Sequence, residues 1–235
     1  MSRVLKALSA LLTYPTAELQ KAMPDISIVL AEDRLIPQNV RRQLSKLTTE
    51  LATGDLYDLQ ECYVLLFDRT RSLSLHLFEH VHGESRDRGQ AMIDLKSQYE
   101  QAGLVMSTAE LPDFLPLFLE FLATRPLKEA CETLGQPAHI FAALGERLRK
   151  RQTPYEAVFR ALIALTAAKP DDAEVSALLQ LPDPDATDLV ALDAAWADEP
   201  VNFGPGSGDG CKDNLIARVR GALRPAPDMP RRPRP

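Results

Sequence analysis

Residues 63–90 concentrate the side chains of this chain that could do chemistry. Three of the four histidines, His76, His80 and His82, lie in this stretch. Acids and arginines stand around them between strongly apolar residues: Asp68, Arg69, Arg71, Glu79, Glu84, Arg86, Asp87 and Arg88. Imidazole, carboxylate and guanidinium groups all make directional hydrogen bonds and ion pairs. We therefore expect the functional site of the protein in this stretch.

The first chemistry that the spacing allows is metal-assisted hydrolysis. The segment His76-Leu77-Phe78-Glu79-His80 matches the H-x-x-E-H pattern of inverted zinc peptidases. In such a site the two histidines bind zinc and the acid activates water. A third protein ligand is also needed, and Glu146 is a candidate far downstream. Because the pattern is short, a zinc-dependent hydrolase is the alternative hypothesis for this chain.

Two other interpretations fit the same residues. In one, the histidines and Glu79 form a solvated helix face, and the charges beside them pair locally and contribute little to stability. In the other, a cleft lined by Leu, Phe, Tyr and His with acids at its rim binds an amphipathic polypeptide that carries basic residues. Imidazole can donate hydrogen bonds to the carbonyls of a bound chain. Spacing alone leaves all three interpretations open.

Two helices are predicted to position these side chains. The first is capped by Ser72, runs to Val81, and ends at Gly83, with the two spaced histidines and Glu79 on one arc. The second has Pro112 and Asp113 in its first turn and continues as FLPLFLEFL, apolar almost all round, which places it at the centre of a bundle. We expect these two helices to flank a groove for the bound segment.

The rest of the chain is also predicted to be helical, because apolar residues recur at intervals of three and four. Thr16 and Asp55 are predicted to cap helices, Asp25 to start one, and Gly54 and Gly103 to end others. Further helices are expected at residues 3–12, 37–53, 127–134, 138–151, 153–168, 175–181 and 189–196. No alternating pattern is long enough to indicate a strand. The predicted fold is all-α, a single-domain bundle of about ten helices.

The domain prediction follows from a change in composition near the end of the chain. Residues 1–204 are expected to form the helical domain. Residues 205–235 are rich in glycine, proline and arginine and cannot bury enough apolar surface to offset chain entropy. We expect them to form a flexible tail.

Composition excludes several classes of function. The 235 residues are 45% hydrophobic and 26% charged, as in soluble globular proteins. The net charge of -6 argues against a nucleic-acid partner, and no apolar run approaches the ~20 residues that cross a bilayer. Cys62, Cys131 and Cys211 are too far apart for a CxxC metal motif, and their odd number fits a reducing cytoplasm.

The stretch YVLLFDRTRSLSLHLFEHVHGESRDRGQAMIDL resembles the assembly chaperones of respiratory nitrate reductase, the delta subunit family. The resemblance continues through ELPDFLP with Glu120-Phe121-Leu122, through LDAAW with Pro200-Val201 and Phe203, and includes the opening LSALLTYPTAEL. The Y-x-x-L-F pattern of residues 63–67 and the Pro112-Asp113 pair are shared with a wider class of molybdoenzyme maturation chaperones. The tail after Gly204 lies outside the resemblance.

The resemblance implies an all-helical, non-catalytic cytoplasmic protein with no cofactor or metal of its own. Its partner would be the catalytic (alpha) subunit of nitrate reductase, bound as the apo form chiefly through its N-terminal segment while molybdenum cofactor is inserted. Cofactor delivery proteins would be further partners. The client-binding residues it implies are Tyr63, Phe67, Asp68, Arg69, His76, Phe78, Glu79, His80, His82, Glu84, Arg86 and Asp113, with Asp87 and Arg88 in the same motif. The resemblance does not say which of them contact the client and which brace the fold.

Overall fold

The computed structural model of the chain describes residues 2–81, 87–106, 110–166, 169–185, 187–188, 190 and 193. Contacts divide the chain into two units, residues 1–189 and 190–235, and the elements below all lie in the first. In the described residues the only regular elements are helices, with one isolated bridge between His76 and Phe114. The all-α prediction is therefore confirmed. Gly83, most of the predicted helix at 189–196, and the predicted boundary and tail beyond 204 lie outside the described residues.

Eleven α-helices and one 3-10 helix make up the described part of the chain. They are α1 Arg3–Leu11, α2 Ala17–Glu32, α3 Gln38–Thr53, α4 Leu56–Phe67, the 3-10 helix Arg71–Leu73, α5 Leu77–Val81, α6 Asp87–Gln101, α7 Leu115–Thr124, α8 Leu127–Gly135, α9 Ala138–Lys150, α10 Glu156–Leu165 and α11 Asp172–Gln180. None of these helices is both long and apolar enough to cross a bilayer.

Helix α7 lies in the core, as its sequence predicted. Its side chains are buried on nearly every side, and α1 packs along it. The Ser9 hydroxyl donates to the Pro116 carbonyl oxygen at 2.8 Å, and the Ser2 backbone N–H donates to the Ala123 carbonyl oxygen at 2.9 Å. Glu120, the one charge inside the helix, is exposed to solvent. A charge cannot be buried without a partner, which is why this position faces outward.

The predicted helix caps at Thr16 and Asp55 are confirmed. The Thr16 side chain accepts a hydrogen bond from the Leu19 N–H at 3.1 Å, and Asp55 accepts one from the Tyr57 N–H at 2.9 Å. Both satisfy N–H groups that the first helical turn leaves without partners. Gly103 follows α6 with a φ of +77°, a conformation that favours glycine.

The predicted helix start at Asp25 is wrong. Helix α2 runs unbroken through Pro24. A proline inside a helix removes one backbone hydrogen bond and costs roughly 3 kcal/mol. Here Met23 and Leu30 are buried on either side of it and Ile26 packs against the core. This continuous contact, largely with α3, offsets the break that the local sequence predicts.

Candidate functional site

Residues 70–81 do not form the single helix that the sequence predicted. Ser72 lies in the 3-10 helix, residues 74–76 are not helical, and α5 begins only at Leu77. The backbone here bonds to other parts of the chain: the Ser72 carbonyl oxygen accepts from Arg147 at 2.6 Å, and the Leu75 carbonyl oxygen accepts from the Leu115 N–H at 2.8 Å. These tertiary hydrogen bonds replace those that a longer helix would make within itself.

Apolar and polar side chains alternate along residues 72–77. The leucines and both serines are buried, and His76 alone among these six residues is half-buried, with 26% of its side chain exposed. A period of two is the pattern of extended backbone, and at His76 the chain forms an antiparallel bridge with Phe114. The sequence S-L-S-L-H-L already contains this alternation, but it is too short to be recognised as a strand.

Asp113 is the centre of the site. It was predicted in the first turn of a helix, but α7 begins at Leu115 and Asp113 precedes it. Its side chain is 0% exposed. Oδ2 accepts from the Phe78 N–H at 3.0 Å, and Oδ1 accepts from His76 Nδ1 at 3.2 Å. Asp113, from a distant part of the chain, thus accepts the hydrogen bond of a backbone N–H in the first turn of α5. The sequence predicted that Ser72 would provide this cap.

The two histidines of the site have opposite protonation preferences. The hydrogen bond to Asp113 raises the pKa of His76, although burial opposes the shift. Burial lowers the pKa of His80, helped by the charge of Arg147. At neutral pH, His80 is therefore a neutral ring, whose Nε2–H donates to the Ser74 carbonyl oxygen at 2.8 Å. The pKa of His76 is shifted the other way, because Asp113 stabilises the protonated ring.

The metal hypothesis finds no support in this geometry. His76 Nδ1 and His80 Nε2 bond to Asp113 and to the Ser74 carbonyl, while Glu79 pairs with Arg88 at 3.4 Å. Glu146, the candidate third ligand, pairs with Arg149 at 2.7 Å. Among the residues that the structure describes, no group of three or more His, Cys, Asp or Glu side chains could hold an ion. The ligand set of a zinc hydrolase is not assembled there.

The other predicted site residues fall into four groups. Tyr63 and Phe67 are buried, and the Tyr63 hydroxyl donates to the Leu12 carbonyl oxygen at 2.9 Å. Asp68 and Arg69 are exposed, and Phe78, Glu79 and His80 are half-buried. His82, Glu84 and Arg86 lie outside the described residues.

The two segments that were expected to flank a groove are bonded directly to each other. The Leu77 N–H donates to the Asp113 carbonyl oxygen at 3.1 Å, and the rings of His76 and Phe114 lie 5.3 Å apart. No chain fits between residues 75–77 and 113–115, so the predicted position of the groove is wrong at this point. A ligand can reach only the solvent-facing side chains of these segments. We call them the recognition surface: His76, Phe78, Glu79, Val81 and Phe114.

Comparison with known proteins decides the family. The family model described as nitrate reductase delta subunit matches residues 33–161, more than half of the chain. The chain belongs to the nitrate reductase delta subunit family. The match includes the described recognition surface and Asp113, so the resemblance stated from the sequence is confirmed.

Three relatives of this delta subunit family member extend the similarity. The chain is 42% identical over 221 residues to the nitrate reductase molybdenum cofactor assembly chaperone NarJ of Escherichia coli strain K12, covering 92% of each chain. It is 40% identical to the probable chaperone NarW of the same strain, covering 86% of this chain and 84% of NarW. It is 32% identical to the probable NarJ of Bacillus subtilis strain 168, covering 67% of this chain and 85% of that protein.

Sequence reasoning missed Arg147, which this family member holds almost fully buried, 3% exposed, in α9. Its guanidinium donates to the Ser72 carbonyl oxygen and, at 2.7 Å, to the Leu178 carbonyl oxygen. The sequence does contain a signal. Buried Leu144 and Leu148 lie three and one residues from Arg147, which places a charge on the apolar face of the helix.

We predict that His76 makes the stability of the fold depend on pH. Its folded-state pKa is raised above the unfolded value of about 6.5. The protonated ring therefore stabilises the fold fully below about pH 6.5, and this contribution is lost as the pH rises through the raised pKa. The unfolding free energy of wild type minus that of His76→Gln, measured with urea between pH 5 and pH 9, should be largest at the acid end.

His80→Gln is the matched control, for which we expect a pH dependence of stability of the opposite sign. The pKa of His80 is lowered by burial, so its contribution is present above about pH 6.5 and is lost as the pH falls through the lowered pKa. Parallel pH profiles for the two variants would contradict the opposite directions of the two pKa shifts.

Proposed function

We propose that this protein is the assembly chaperone of a respiratory nitrate reductase. It acts in the cytoplasm, binds the apo catalytic subunit chiefly through that subunit's N-terminal segment, and supports molybdenum cofactor insertion and assembly of the complex. It is not itself an enzyme. The observation that carries the proposal is the 42% identity over 92% of both chains with a protein that bears the name of such a chaperone.

The recognition surface supports binding of an amphipathic segment. Phe78 and Phe114 are half-buried, and Val81 is 53% exposed. Covering one large apolar anchor of a client contributes about 1.5–3 kcal/mol, so apolar contacts supply most of the affinity. These side chains come from two segments fixed by mutual hydrogen bonds, which reduces the ordering that binding requires.

Acidic groups of the motif suit basic residues of the client. Asp68 is exposed, and Glu79 forms a partly exposed ion pair with Arg88. A client Lys or Arg can compete with Arg88 for this carboxylate. Such rim charges affect the association rate and its salt dependence more than the affinity. Arg69, His82, Glu84 and Arg86 are proposed as further contacts on the resemblance alone.

The buried residues of the motif have a different part in this proposal. Asp113 holds the start of α5, and Tyr63 and Phe67 lie in the hydrophobic core. In this proposal they support the fold that carries the recognition surface, and a client does not contact them while the fold is intact. Within the described motif, we therefore assign the buried residues to supporting the fold and the half-buried or exposed residues to contacting the client.

Co-purification tests the proposed function. The tagged chain is expressed with its cognate catalytic subunit in cells that cannot make molybdenum cofactor, with the subunit either complete or lacking its N-terminal segment. We expect only the complete subunit to co-purify, and mass spectrometry of the same eluate would identify cofactor delivery proteins. The catalytic subunit of an unrelated molybdoenzyme is the control.

Two results would count against this proposal at different levels. Equal recovery of the complete and shortened subunits would remove the N-terminal segment as the main binding site. Recovery of neither form above the unrelated control would remove the chaperone function itself.

A further inference from the structure

A polar cluster joins the segment before the recognition surface to the end of α11. Arg147 donates from Nη1 to the Ser72 carbonyl oxygen at 2.6 Å and from Nη2 to the carbonyl oxygens of Leu178 and Leu181 at 2.7 and 3.3 Å. The Ser72 hydroxyl donates to Asp183 Oδ1 at 2.6 Å, and the same oxygen accepts from Arg151 at 2.6 Å. We call this cluster the clamp: Ser72, Arg147, Arg151 and Asp183.

The clamp requires residues 178–183 to be in place. Arg147 stays protonated at any physiological pH, although burial lowers its pKa. A buried charge is tolerated only when hydrogen bonds replace the water that it has lost. The partners of this guanidinium are carbonyl oxygens from two distant segments. Both segments must therefore be packed for Arg147 to be satisfied, which ties the 3-10 helix to the end of α11.

The clamp reaches the recognition surface through Ser74. The Ser74 hydroxyl accepts from the His76 backbone N–H at 3.2 Å, and the Ser74 carbonyl oxygen accepts from His80 Nε2 at 2.8 Å. Because Ser74 follows Ser72 by two residues, the position of Ser72 constrains that of Ser74. Through these hydrogen bonds Ser74 in turn holds the backbone of His76 and the ring of His80. The charge of Arg147 is also among the causes that lower the pKa of His80.

We propose that the turn at residues 181–183 is a positioning element of the client-binding site. Through the clamp, Asp183 and Arg147 hold residues 72–76 in the conformation that presents the recognition surface. Neither residue contacts the client. This inference rests on the proposed function, because a positioning element requires a surface that binds the client. The turn itself lies beyond residues 33–161, the segment that the family model matches.

Calorimetry of four variants tests the inference. The probe is a synthetic peptide of the N-terminal segment of the cognate catalytic subunit, titrated into the full chain as wild type, Ser72→Ala, Asp183→Ala and the double variant. A hydrogen bond to a charged group is worth roughly tenfold in an equilibrium constant. We expect each single variant to weaken binding about tenfold. Because both remove the same bond, we expect the double variant to bind about as weakly as either single one.

Asp185→Ala is the matched control. It makes the same chemical change two residues further on, where the hydrogen bonds of the carboxylate to described residues go to Thr187. We expect it to bind like wild type. Asp183→Asn keeps an oxygen acceptor for Ser72 and Arg151, and should recover most of the lost affinity. Arg147 is left unchanged because its burial would confound weaker binding with unfolding.

Hydrogen exchange in the absence of peptide separates positioning from contact. We expect faster exchange of the Leu77 and Phe78 amides in Asp183→Ala than in Asp185→Ala, since the clamp holds the segment before them. Binding by Asp183→Ala as tight as by Asp185→Ala, or additive losses in the double variant, would overturn the inference while wild-type binding upholds the proposed function. A peptide that fails to bind wild type would overturn the inference together with the N-terminal segment as the binding site, while the chaperone function itself is decided by the co-purification experiment.

Discussion

Asp113→Ala is expected to lower the free energy of unfolding by about 3 kcal/mol. The carboxylate is 0% exposed, and its removal leaves the Phe78 N–H and the His76 ring without their partner. A shielded donor that loses its acceptor keeps part of its desolvation penalty, and here two part-buried donors do so, one of them the His76 ring, whose pKa the hydrogen bond to Asp113 raises. For a chain of this size the midpoint of thermal unfolding should fall by about 6–12 °C.

Urea unfolding at pH 7 of Asp113→Ala, Asp113→Asn and Asp68→Ala provides the measurement. Asp68 carries the same change at an exposed position at the end of α4, and we expect a loss below about 0.5 kcal/mol there. Asn keeps an oxygen for the Phe78 N–H, so its loss should fall between the two. Equal losses for Asp113→Ala and Asp68→Ala would show that the carboxylate does not hold α5.

The helices that the sequence predicted correctly are those whose causes are local. Helix α4 is one example: Asp55 caps it through hydrogen bonds to residues two and three positions away, and Leu59, Tyr63 and Leu66 recur on one face. Helix α7 is another, because apolar residues fill nearly its whole circumference. In both, the apolar period and the termination signals lie within the helix itself, where a single sequence can reveal them.

The segment at residues 70–81 could not be predicted in the same way, because its structure is set by distant residues. The Phe78 N–H bonds to a carboxylate 35 positions away, the Ser72 carbonyl to a guanidinium 75 positions away, and the Ser72 hydroxyl to a carboxylate 111 positions away. Its local periodicity fits a helix, but these bonds use the backbone groups that the helix would need. The helical prediction failed because tertiary hydrogen bonding overrode local preference.

The sequence located the candidate site, but it did not show which of its residues face solvent and which support the fold. The resemblance identified the motif as one unit, and nothing in the order of its residues distinguishes Phe67 from Phe78. Burial separates them, since Phe67 is 6% exposed in the core whereas Phe78 is half-buried at the recognition surface. That separation depends on which helices pack over residue 67, which is information about the whole fold.

Phe67→Ala is expected to lower the free energy of unfolding by about 3–5 kcal/mol. The ring packs between two tyrosines, with centroid distances of 5.1 Å to Tyr63 and 5.1 Å to Tyr155. Truncation removes the apolar transfer energy and leaves a cavity between α4 and the start of α10 that the tyrosines cannot fill without losing their own contacts. Urea unfolding monitored by circular dichroism measures the loss, and Phe67→Leu, which keeps most of the volume, should lose less than half as much.

Phe78→Ala is the matched variant for function, because it truncates the same side chain at the recognition surface. We expect it to weaken binding of the client peptide roughly tenfold to a hundredfold, as loss of an apolar anchor would, while costing the fold less than Phe67→Ala does. After correction for the folded fraction, Phe67→Ala should bind the peptide with nearly wild-type affinity, since its ring is buried in the core. If Phe67→Ala loses affinity in its folded fraction and Phe78→Ala does not, the peptide must enter the core between α4 and α10, and the assignment of brace and contact is reversed.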